Sequence, residues 1–205
     1  MWTRILLLLI GYAFGLIQTG YFCGKHLGQD LKKAGSGNTG ATNAMRVLGV
    51  KAGLLVYAGD MLKALIPCLV VKLIFQHQSV MYPYIGWTGL GVILGNNYPF
   101  YLKFNGGKAV AAASGVALAL DVRLFALAIA LFAVVVLLTR FVSVGSMVAL
   151  VGAWIMSLWI LKHPGLEFRI LFALVVLLPV VRHHSNISRL MKGTENRMSF
   201  GVKKR

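Results

Sequence analysis

The chain has 205 residues, of which 58% are hydrophobic and only 13% are charged. Soluble domains carry about 25% charged residues, so this composition excludes an ordinary soluble domain, and its hydrophobicity excludes a disordered chain. Two cysteines are too few for a disulfide-stapled scaffold. The composition therefore predicts a polytopic membrane protein, with a single domain over 1–205 that includes a basic tail over 196–205.

Seven apolar segments follow one another along the chain. A bilayer core about 30 Å thick requires about 20 apolar residues per helix, and fewer where neighbouring helices cover a short one. The long charge-free run 73–102 begins as a loop and is expected to become helical from about Tyr84. The sequence predicts an all-α fold with seven transmembrane helices, two of them short (109–120 and 170–181), within 5–24, 52–71, 73–102, 109–120, 124–139, 141–161 and 170–181.

The charges of the chain are unevenly distributed, with 21 Lys and Arg against 5 Asp and Glu and a net charge of +16. If the N-terminus lies outside, the inner segments hold 15 basic residues and the outer segments hold 5. Since cytoplasmic loops of membrane proteins are enriched in Lys and Arg, this bias predicts an outside N-terminus and a cytoplasmic C-terminus rather than a nucleic-acid partner. The basic tail, with Lys203, Lys204 and Arg205, is interpreted as attracted to anionic lipid.

Two features concern the first and second apolar segments. A cleaved secretory signal is disfavoured for the first, because the small-residue cleavage pattern is missing. In the second, Asp60 and Lys63 stand three residues apart on one helix, where the two side chains can pair. We expect this pair to hold helices together rather than to carry chemistry.

A first polar stretch, 35–46, reads GSGNTGATNAMR. Its G-x-G-x-x-G spacing does not indicate dinucleotide binding, since the motif requires a preceding strand and a βαβ unit. Glycines nevertheless allow close approach of backbone N–H groups, and a planar guanidinium suits a phosphate. The stretch therefore indicates an anion site, with a solvated glycine-rich turn as the simpler alternative; its candidate residues are Gly35, Ser36, Gly37, Asn38, Thr42, Asn43 and Arg46.

A second polar stretch, 95–109, contains Gly106 and Gly107 followed by Lys108 at the mouth of a predicted helix. Hydrolysis of a nucleoside triphosphate is not supported, because Ala109 stands where a P-loop needs Ser or Thr. Lys108 is a candidate for binding an anion. The alternative is a lysine that reaches from the helix end to the membrane interface.

A third polar stretch, 182–195, follows the last apolar segment and includes His183, His184, Asn186 and Glu195. Adjacent histidines can bind a metal, but cysteine and carboxylate partners at ligand spacing are missing from the sequence. We therefore expect neither a metal nor a cofactor. All three stretches fall on the predicted cytoplasmic side.

Taken together, these stretches make the chain resemble the bacterial acyl-phosphate:glycerol-3-phosphate acyltransferase family of integral membrane enzymes. The likeness runs from about Gly15 to Glu195 and rests on GSGNTGATNAMR, the Asp60 and Lys63 pair, the NYP and FNGGK pieces, and HHSNISRLMKGTE. The resemblance implies a protein of the bacterial inner membrane with seven helices and its N-terminus on the outer side. It implies further that the three polar motifs enclose one active site on the cytoplasmic side. It also implies glycerol 3-phosphate and acyl phosphate as substrates and lysophosphatidic acid as the product of a step in phospholipid synthesis.

The resemblance assigns roles residue by residue. By resemblance, catalytic roles fall on Ser36, Arg46, Lys108, His183 and Asn186. From the chemistry of the polar stretches themselves, we expect substrate binding at Gly35, Gly37, Asn38, Thr42, Asn43, Gly106, Gly107 and Glu195. We expect a monomer that contacts membrane lipids and binds no nucleic acid. Similar chains usually have His at Asn96, Lys at Asn105, Gly at Ala109, and a Ser-Ile-Pro-Phe-Gly stretch at 16–20, so these positions depart from the family pattern.

An acyl phosphate is a mixed anhydride, so the glycerol hydroxyl can attack its carbonyl without a covalent enzyme intermediate. Consistent with direct attack, neither a G-x-S-x-G elbow nor an H-x4-D pair is found in the sequence. His183 is a candidate proton acceptor, since the unperturbed pKa of histidine is about 6.5, and the substrate phosphate is another. Two alternatives stay open: a transporter of anions or phosphorylated solutes built on broken helices, and a diverged paralogue with weak activity.

Overall fold

The computed structural model describes residues 1–162 and 164–198, and in this part of the chain the regular structure is entirely helical. The α-helical class predicted from the sequence is therefore confirmed. Residues 203–205 of the predicted lipid-binding tail lie outside the described residues.

Ten α-helices and one short 3-10 turn make up the described residues. Eight of the α-helices come from the predicted apolar segments, and two, α3 and α10, arise within polar stretches. In chain order the helices are α1 (Trp2–Gly15), α2 (Thr19–His26), α3 (Ala41–Leu48), α4 (Val50–Phe75), α5 (Met81–Asn97), the 3-10 turn (Phe100–Leu102), α6 (Val110–Leu120), α7 (Val122–Thr139), α8 (Val142–Ile160), α9 (Gly165–Val181) and α10 (His184–Met191).

Four helical segments in the described residues are long and apolar enough to cross a bilayer, namely Trp2–His26, α4, α7 and α8. Helix α6 is apolar but has only 11 residues, about 16 Å at 1.5 Å per residue. Lys72 donates hydrogen bonds to the carbonyl oxygens of Ala119 and Leu120, so the last two carbonyls of this short helix have a donor.

The first apolar segment is not one continuous helix as the run 5–24 suggested, because the chain breaks between Gly15 and Thr19. A helix break exposes carbonyl oxygens that need other donors. Here Lys63 Nζ donates to the Ile17 carbonyl at 2.7 Å, and the Tyr101 hydroxyl donates to the Leu16 carbonyl. Donors from distant parts of the chain therefore stabilise the break.

Helix α5 begins at Met81, earlier than the predicted start near Tyr84, and ends at Asn97. Pro83 lies in its first turn, where backbone N–H groups have no intrahelical acceptor and the missing N–H of proline is tolerated. The proline that suggested a loop is thus compatible with a helix start.

Helices α1 and α5 pack closely through glycines. A Cβ atom on Gly91 would lie 2.2 Å from the Leu8 carbonyl oxygen, and one on Gly95 would lie 2.2 Å from the Tyr12 carbonyl oxygen. Small residues allow membrane helices to bring their backbones into contact. This packing fixes the C-terminal end of α5, from which the second polar stretch begins.

The expected ion pair between Asp60 and Lys63 is present on α4, with 2.8 Å between Lys63 Nζ and Asp60 Oδ1. Both residues are buried. A buried charge without a partner is strongly destabilising, so the two residues are expected to depend on each other.

Candidate active site

One cavity of about 460 Å³ brings the three polar stretches together. Ser36, Lys108 and His183, which come from the three different stretches, all line it. We call this polar part, together with Arg46, Asn186, Arg189 and Glu195, the mouth of the cavity. Residues from three distant segments of the chain therefore meet at one cavity.

Beyond the mouth, the same cavity continues between α6, α7, α8 and α9 as an apolar space that we call the inner branch. Small and aromatic side chains line it, among them Ala113, Ala117, Phe125, Ala149, Ala153 and Phe172. Ala153 stands ten residues after Ser143 on α8, so the branch extends about 15 Å from the mouth at 1.5 Å per residue. The space has the length and polarity that suit a hydrocarbon chain.

Asn43 holds the first glycine-rich loop in shape. Its Nδ2 donates to the carbonyls of Leu31, Ala34 and Asn38 at 2.8 to 3.1 Å, and its Oδ1 accepts the Ser36 N–H. Gly35 has a φ of +61°, and a Cβ there would lie 2.2 Å from Asn43 Oδ1. Although Asn43 borders the cavity, its amide is fully engaged within the loop, and Gly35 shapes that loop without lining the cavity.

The side chains of this loop that remain available are at its tip and on α3. Ser36, Asn38, Thr42 and Arg46 line the cavity, and Arg46 forms no ion pair within residues 1–162 and 164–198. Gly37 lines a second, adjoining polar cavity of about 190 Å³ that shares Ser36, Asn38, Lys108 and Arg189 with the first. Arg46 is thus a guanidinium free to bind an anion.

The second glycine loop folds back onto the end of α5. The N–H groups of Gly106 and Gly107 donate to the carbonyls of Asn97 and Asn96 at 3.0 and 3.1 Å. The N–H of Gly37 in the first loop is likewise bonded, to the Ala34 carbonyl. The N–H groups of Gly37, Gly106 and Gly107 are therefore occupied within the protein and are not available to a ligand.

A chain of hydrogen bonds fixes Lys108. Its Nζ donates to Asn186 Oδ1, and Asn186 Nδ2 donates to Glu195 Oε1 at 2.6 Å. Glu195 also accepts from Arg189 Nε at 2.7 Å and from Ser143 Oγ at 2.9 Å. Asn186 and Glu195 thus orient the cationic side chains and connect α10 to the start of α8.

The mouth carries an excess of positive charge. Burial, together with the charges of Arg189, Arg182 and Arg46, lowers the pKa of Lys108 to about 8, against a weaker opposing effect of Glu195. Burial alone would raise the pKa of Glu195, but hydrogen bonds from Asn186, Arg189 and Ser143 outweigh it and lower that pKa. Several cations facing one carboxylate indicate a site built for anions.

His183 is buried and borders the mouth. Its Nδ1 lies 2.8 Å from the Pro179 carbonyl oxygen, so Nδ1 carries the proton and donates. Burial and the charge of Lys108 lower the pKa of His183 to about 4, well below the value of about 6.5 assumed from the sequence. His183 is therefore neutral at pH 7, with Nε2 as an acceptor, and Asn186 engages Lys108 and Glu195 instead of the His183 ring.

Several residues of the site were missed in the sequence analysis. Arg189 lies three residues after Asn186 on α10, so helical spacing alone would have placed both on one face. Arg182 donates to Asn105 Oδ1 at 3.2 Å and to the Gly106 carbonyl at 3.1 Å. No signal in the sequence pointed to Ser143, whose role depends on tertiary contact with Glu195.

Comparison with known proteins gives one consistent match. The family model described as glycerol-3-phosphate acyltransferase matches residues 5–193. The glycerol-3-phosphate acyltransferase of Macrococcus caseolyticus is 39% identical over 198 residues, covering 95% of this chain and 97% of the relative. That of Trichlorobacter lovleyi is 40% identical over 187 residues, covering 91% and 93%.

Solved structures agree with these matches. The glycerol 3-phosphate form of PlsY (YgiH), an integral membrane glycerol 3-phosphate acyltransferase, superposes with a TM-score of 0.88 at 33% identity and covers 96% of each chain. The lysophosphatidic acid form of PlsY has a TM-score of 0.86 at 32% identity and covers 96% of this chain and 95% of the other. The two forms carry the substrate and the product of one acyl transfer.

Proposed function

The chain belongs to the glycerol-3-phosphate acyltransferase family, and on that premise we propose that it takes its acyl group from an acyl phosphate. The acceptor is the 1-hydroxyl of glycerol 3-phosphate and the product is lysophosphatidic acid, as in the PlsY forms with glycerol 3-phosphate and with lysophosphatidic acid. The protein is a multi-pass membrane enzyme of phospholipid synthesis.

The observation that carries this proposal is the composition of the main cavity. Arg46, Lys108 and Arg189 line its mouth, and apolar side chains line its inner branch. Two phosphorylated substrates bring a large negative charge, which several cations in one site can balance. An acyl phosphate places its phosphate and its hydrocarbon chain at opposite ends, as the mouth and the inner branch require.

Acyl transfer proceeds by direct attack. The glycerol 1-oxygen forms a bond to the acyl carbonyl carbon, the bond from that carbon to the phosphate oxygen breaks, and inorganic phosphate leaves. Ser36, Arg46 and Lys108 bind phosphate groups, and Asn186 and Glu195 keep Lys108 directed into the mouth. Positioning two reactants in this way supplies several kcal/mol of the barrier reduction, of the roughly 7–11 kcal/mol available to ideal alignment.

The proton of the attacking hydroxyl goes to the phosphate of glycerol 3-phosphate. A phosphate dianion can accept a proton near neutral pH, whereas burial and the charge of Lys108 lower the pKa of His183 to about 4 and make its ring a weak base. His183 stays neutral, takes no proton in this step, and lines the mouth as a hydrogen-bond acceptor for other substrate groups. On this account His183→Ala lowers kcat by less than about tenfold, whereas a general base contributes about 10² to 10⁴.

We also propose seven membrane crossings, by the α1–α2 unit and by α4, α5, α6, α7, α8 and α9, with the N-terminus outside in a bacterial inner membrane. The number of crossings between successive polar stretches supports this count of seven. Two crossings separate the first stretch from the second and four separate the second from the third, so even numbers keep all three on one side. The excess of basic residues in these stretches makes that side cytoplasmic, and one cavity in one chain needs no second copy.

The test is an assay of purified protein with palmitoyl phosphate and palmitoyl-CoA, each offered with glycerol 3-phosphate. Lysophosphatidic acid formed only from palmitoyl phosphate supports the proposal. Equal use of palmitoyl-CoA would contradict the donor assignment, and no product from either donor would favour a paralogue or a transporter.

A further inference from the structure

Asn96 lies in the last turn of α5, where it is only 2% exposed and lines the main cavity. The contacts of its amide define what this side chain offers to the cavity.

Lys63 fixes the orientation of the Asn96 amide. The distance between Lys63 Nζ and the Asn96 amide is 2.6 Å. Because an ammonium group can only donate, the amide oxygen must face Lys63, and the NH₂ group must face the other way. Asp60, which pairs with Lys63 at 2.8 Å, holds the lysine in place.

The Nδ2 group of Asn96 faces Gly107. A Cβ atom on Gly107 would lie 3.1 Å from Asn96 Nδ2, so the glycine leaves open the space in front of the amide. Within residues 1–162 and 164–198, Asn96 Nδ2 donates to no protein group. Unlike the amide of Asn97, Asn96 Nδ2 is not among the fully buried polar atoms that lack a partner, so it is open to the cavity and available to a ligand.

The surroundings of Asn96 indicate which ligand atom it meets. The cations that suit phosphates, Arg46, Lys108 and Arg189, belong to the mouth. Asn96 is uncharged and faces Gly107, the residue just before Lys108, while Ala109 and Ala113 beyond the loop line the way into the inner branch. Between the phosphate and the hydrocarbon chain of an acyl phosphate lies its carbonyl group, whose oxygen can accept a hydrogen bond.

We propose that Asn96 Nδ2 donates a hydrogen bond to the acyl carbonyl oxygen of the donor and stabilises the negative charge that this oxygen acquires when the glycerol hydroxyl attacks. The proposal rests on the proposed function. Asn96 gains and loses no proton in the step, since the amide acts only as a fixed dipole. Removing a donor of this kind lowers kcat by about 10² to 10³.

A neutral histidine offers the same pattern as the oriented amide, with one ring nitrogen as acceptor and the other as donor. Histidine at this position would accept from Lys63 and donate into the cavity. Asn96 in this orientation and a neutral histidine therefore present the same kind of donor to the cavity.

The experiment compares Asn96→Asp, Asn96→His and the neighbouring Asn97→Leu in the purified enzyme, with kcat and KM measured separately for palmitoyl phosphate and glycerol 3-phosphate. Asn96→Asp keeps an oxygen for Lys63 but replaces the donor by an acceptor, so kcat falls about 10²-fold or more. Asn96→His retains kcat within about tenfold, because one donor is kept. Asn97 is fully buried, has an unpartnered amide and does not line the cavity, so Asn97→Leu keeps the wild-type kcat.

Wild-type kcat in Asn96→Asp, a change confined to KM, or an equal loss in Asn97→Leu overturns the proposal. If Asn96→Asp does not fold, Gly107→Ala takes its place, since the added methyl group blocks the amide and leaves Lys63 untouched. An unchanged kcat in Gly107→Ala then contradicts the proposal. Activity of the wild type with palmitoyl phosphate distinguishes failure of the proposed function from failure of the Asn96 inference. If the wild type is inactive, the proposed function fails. If the wild type is active and all variants are equally active, only the Asn96 inference fails.

Discussion

At the mouth of the cavity, hydrogen bonds join residues that are far apart in sequence: Lys108 reaches Asn186, and Glu195 reaches Ser143. In the inner branch, by contrast, α6, α7, α8 and α9 leave a space lined mainly by apolar side chains, many of them alanine and phenylalanine. Specific hydrogen-bond partners determine the geometry of the mouth, whereas the volume left between helices determines the shape of the inner branch.

The mouth and the inner branch are therefore expected to respond differently to amino-acid substitution. A polar network loses function when one member is removed, because its partners are left without their hydrogen bonds. An apolar space tolerates substitution as long as its volume is kept. We therefore expect changes at the mouth to affect catalysis and changes in the branch to affect which acyl chain is accepted.

The largest effect is expected for Lys108→Ala. Removing this cation takes away a phosphate ligand and leaves Asn186 without its donor, so kcat/KM with palmitoyl phosphate falls by about 10² to 10³. The matched control is Lys192→Ala, an exposed lysine that lines neither cavity and should leave kcat/KM unchanged. Near-normal activity of Lys108→Ala would remove the proposed phosphate site.

The second effect concerns pH. Burial and the neighbouring arginines lower the pKa of Lys108 to about 8, so the lysine is charged below that pH and loses its proton above it. Since the charged form binds phosphate, kcat/KM should fall about tenfold per pH unit above pH 8. An Arg side chain stays protonated throughout this range, so Lys108→Arg should lose the inflection; a wild-type profile that is flat to pH 10 would contradict this assignment.

The third effect concerns the inner branch. Ala153→Phe fills part of the space between α8 and α9, so chains of sixteen carbons lose several buried methylene groups, each worth about 0.8 kcal/mol. The ratio of turnover with palmitoyl phosphate to turnover with decanoyl phosphate should fall about tenfold or more. Ile155→Phe, on the exposed face of the same helix, is the control and should keep the wild-type ratio. Equal ratios in both variants would place the acyl chain elsewhere.

The smallest effect concerns the junction of the two regions. Ala109 caps α6 in a left-handed conformation with a φ of +60°, which costs about 1–2 kcal/mol for any residue but glycine. Ala109→Gly should raise the free energy of unfolding by about 0.5–1 kcal/mol after the loss of chain entropy is included. Ala113→Gly, within the helix, should lower it by about 1 kcal/mol. Thermal unfolding in detergent measures the stability of both variants. A melting temperature of Ala109→Gly below that of the wild type would contradict the claim that the Ala109 backbone is strained.

The sequence predicted the helical class and the residues that meet at the mouth because both leave local signals. Apolar runs reveal helices, and glycine, asparagine and basic residues in a membrane protein stand out where the runs stop. The break at residues 16–18 left no such signal, since proline is missing there. It depends on Lys63 and Tyr101, which donate to the exposed carbonyls from distant parts of the chain.

The role of each polar residue was harder to predict than its place. Asn43 looked like a substrate ligand, but its amide is bonded to three backbone carbonyls of its own loop. The low pKa of His183 results from burial and from Lys108, two conditions that exist only in the folded chain. Sequence spacing shows which residues can meet, whereas hydrogen-bond partners and burial decide what each one does.

The most direct test of the central claim is a structure of the protein with glycerol 3-phosphate bound. We predict that the phosphate lies in the mouth, in hydrogen-bond contact with Lys108 Nζ or the Arg46 guanidinium, with the 1-hydroxyl directed toward the inner branch. A phosphate bound outside this cavity, contacting neither cation, would contradict the account.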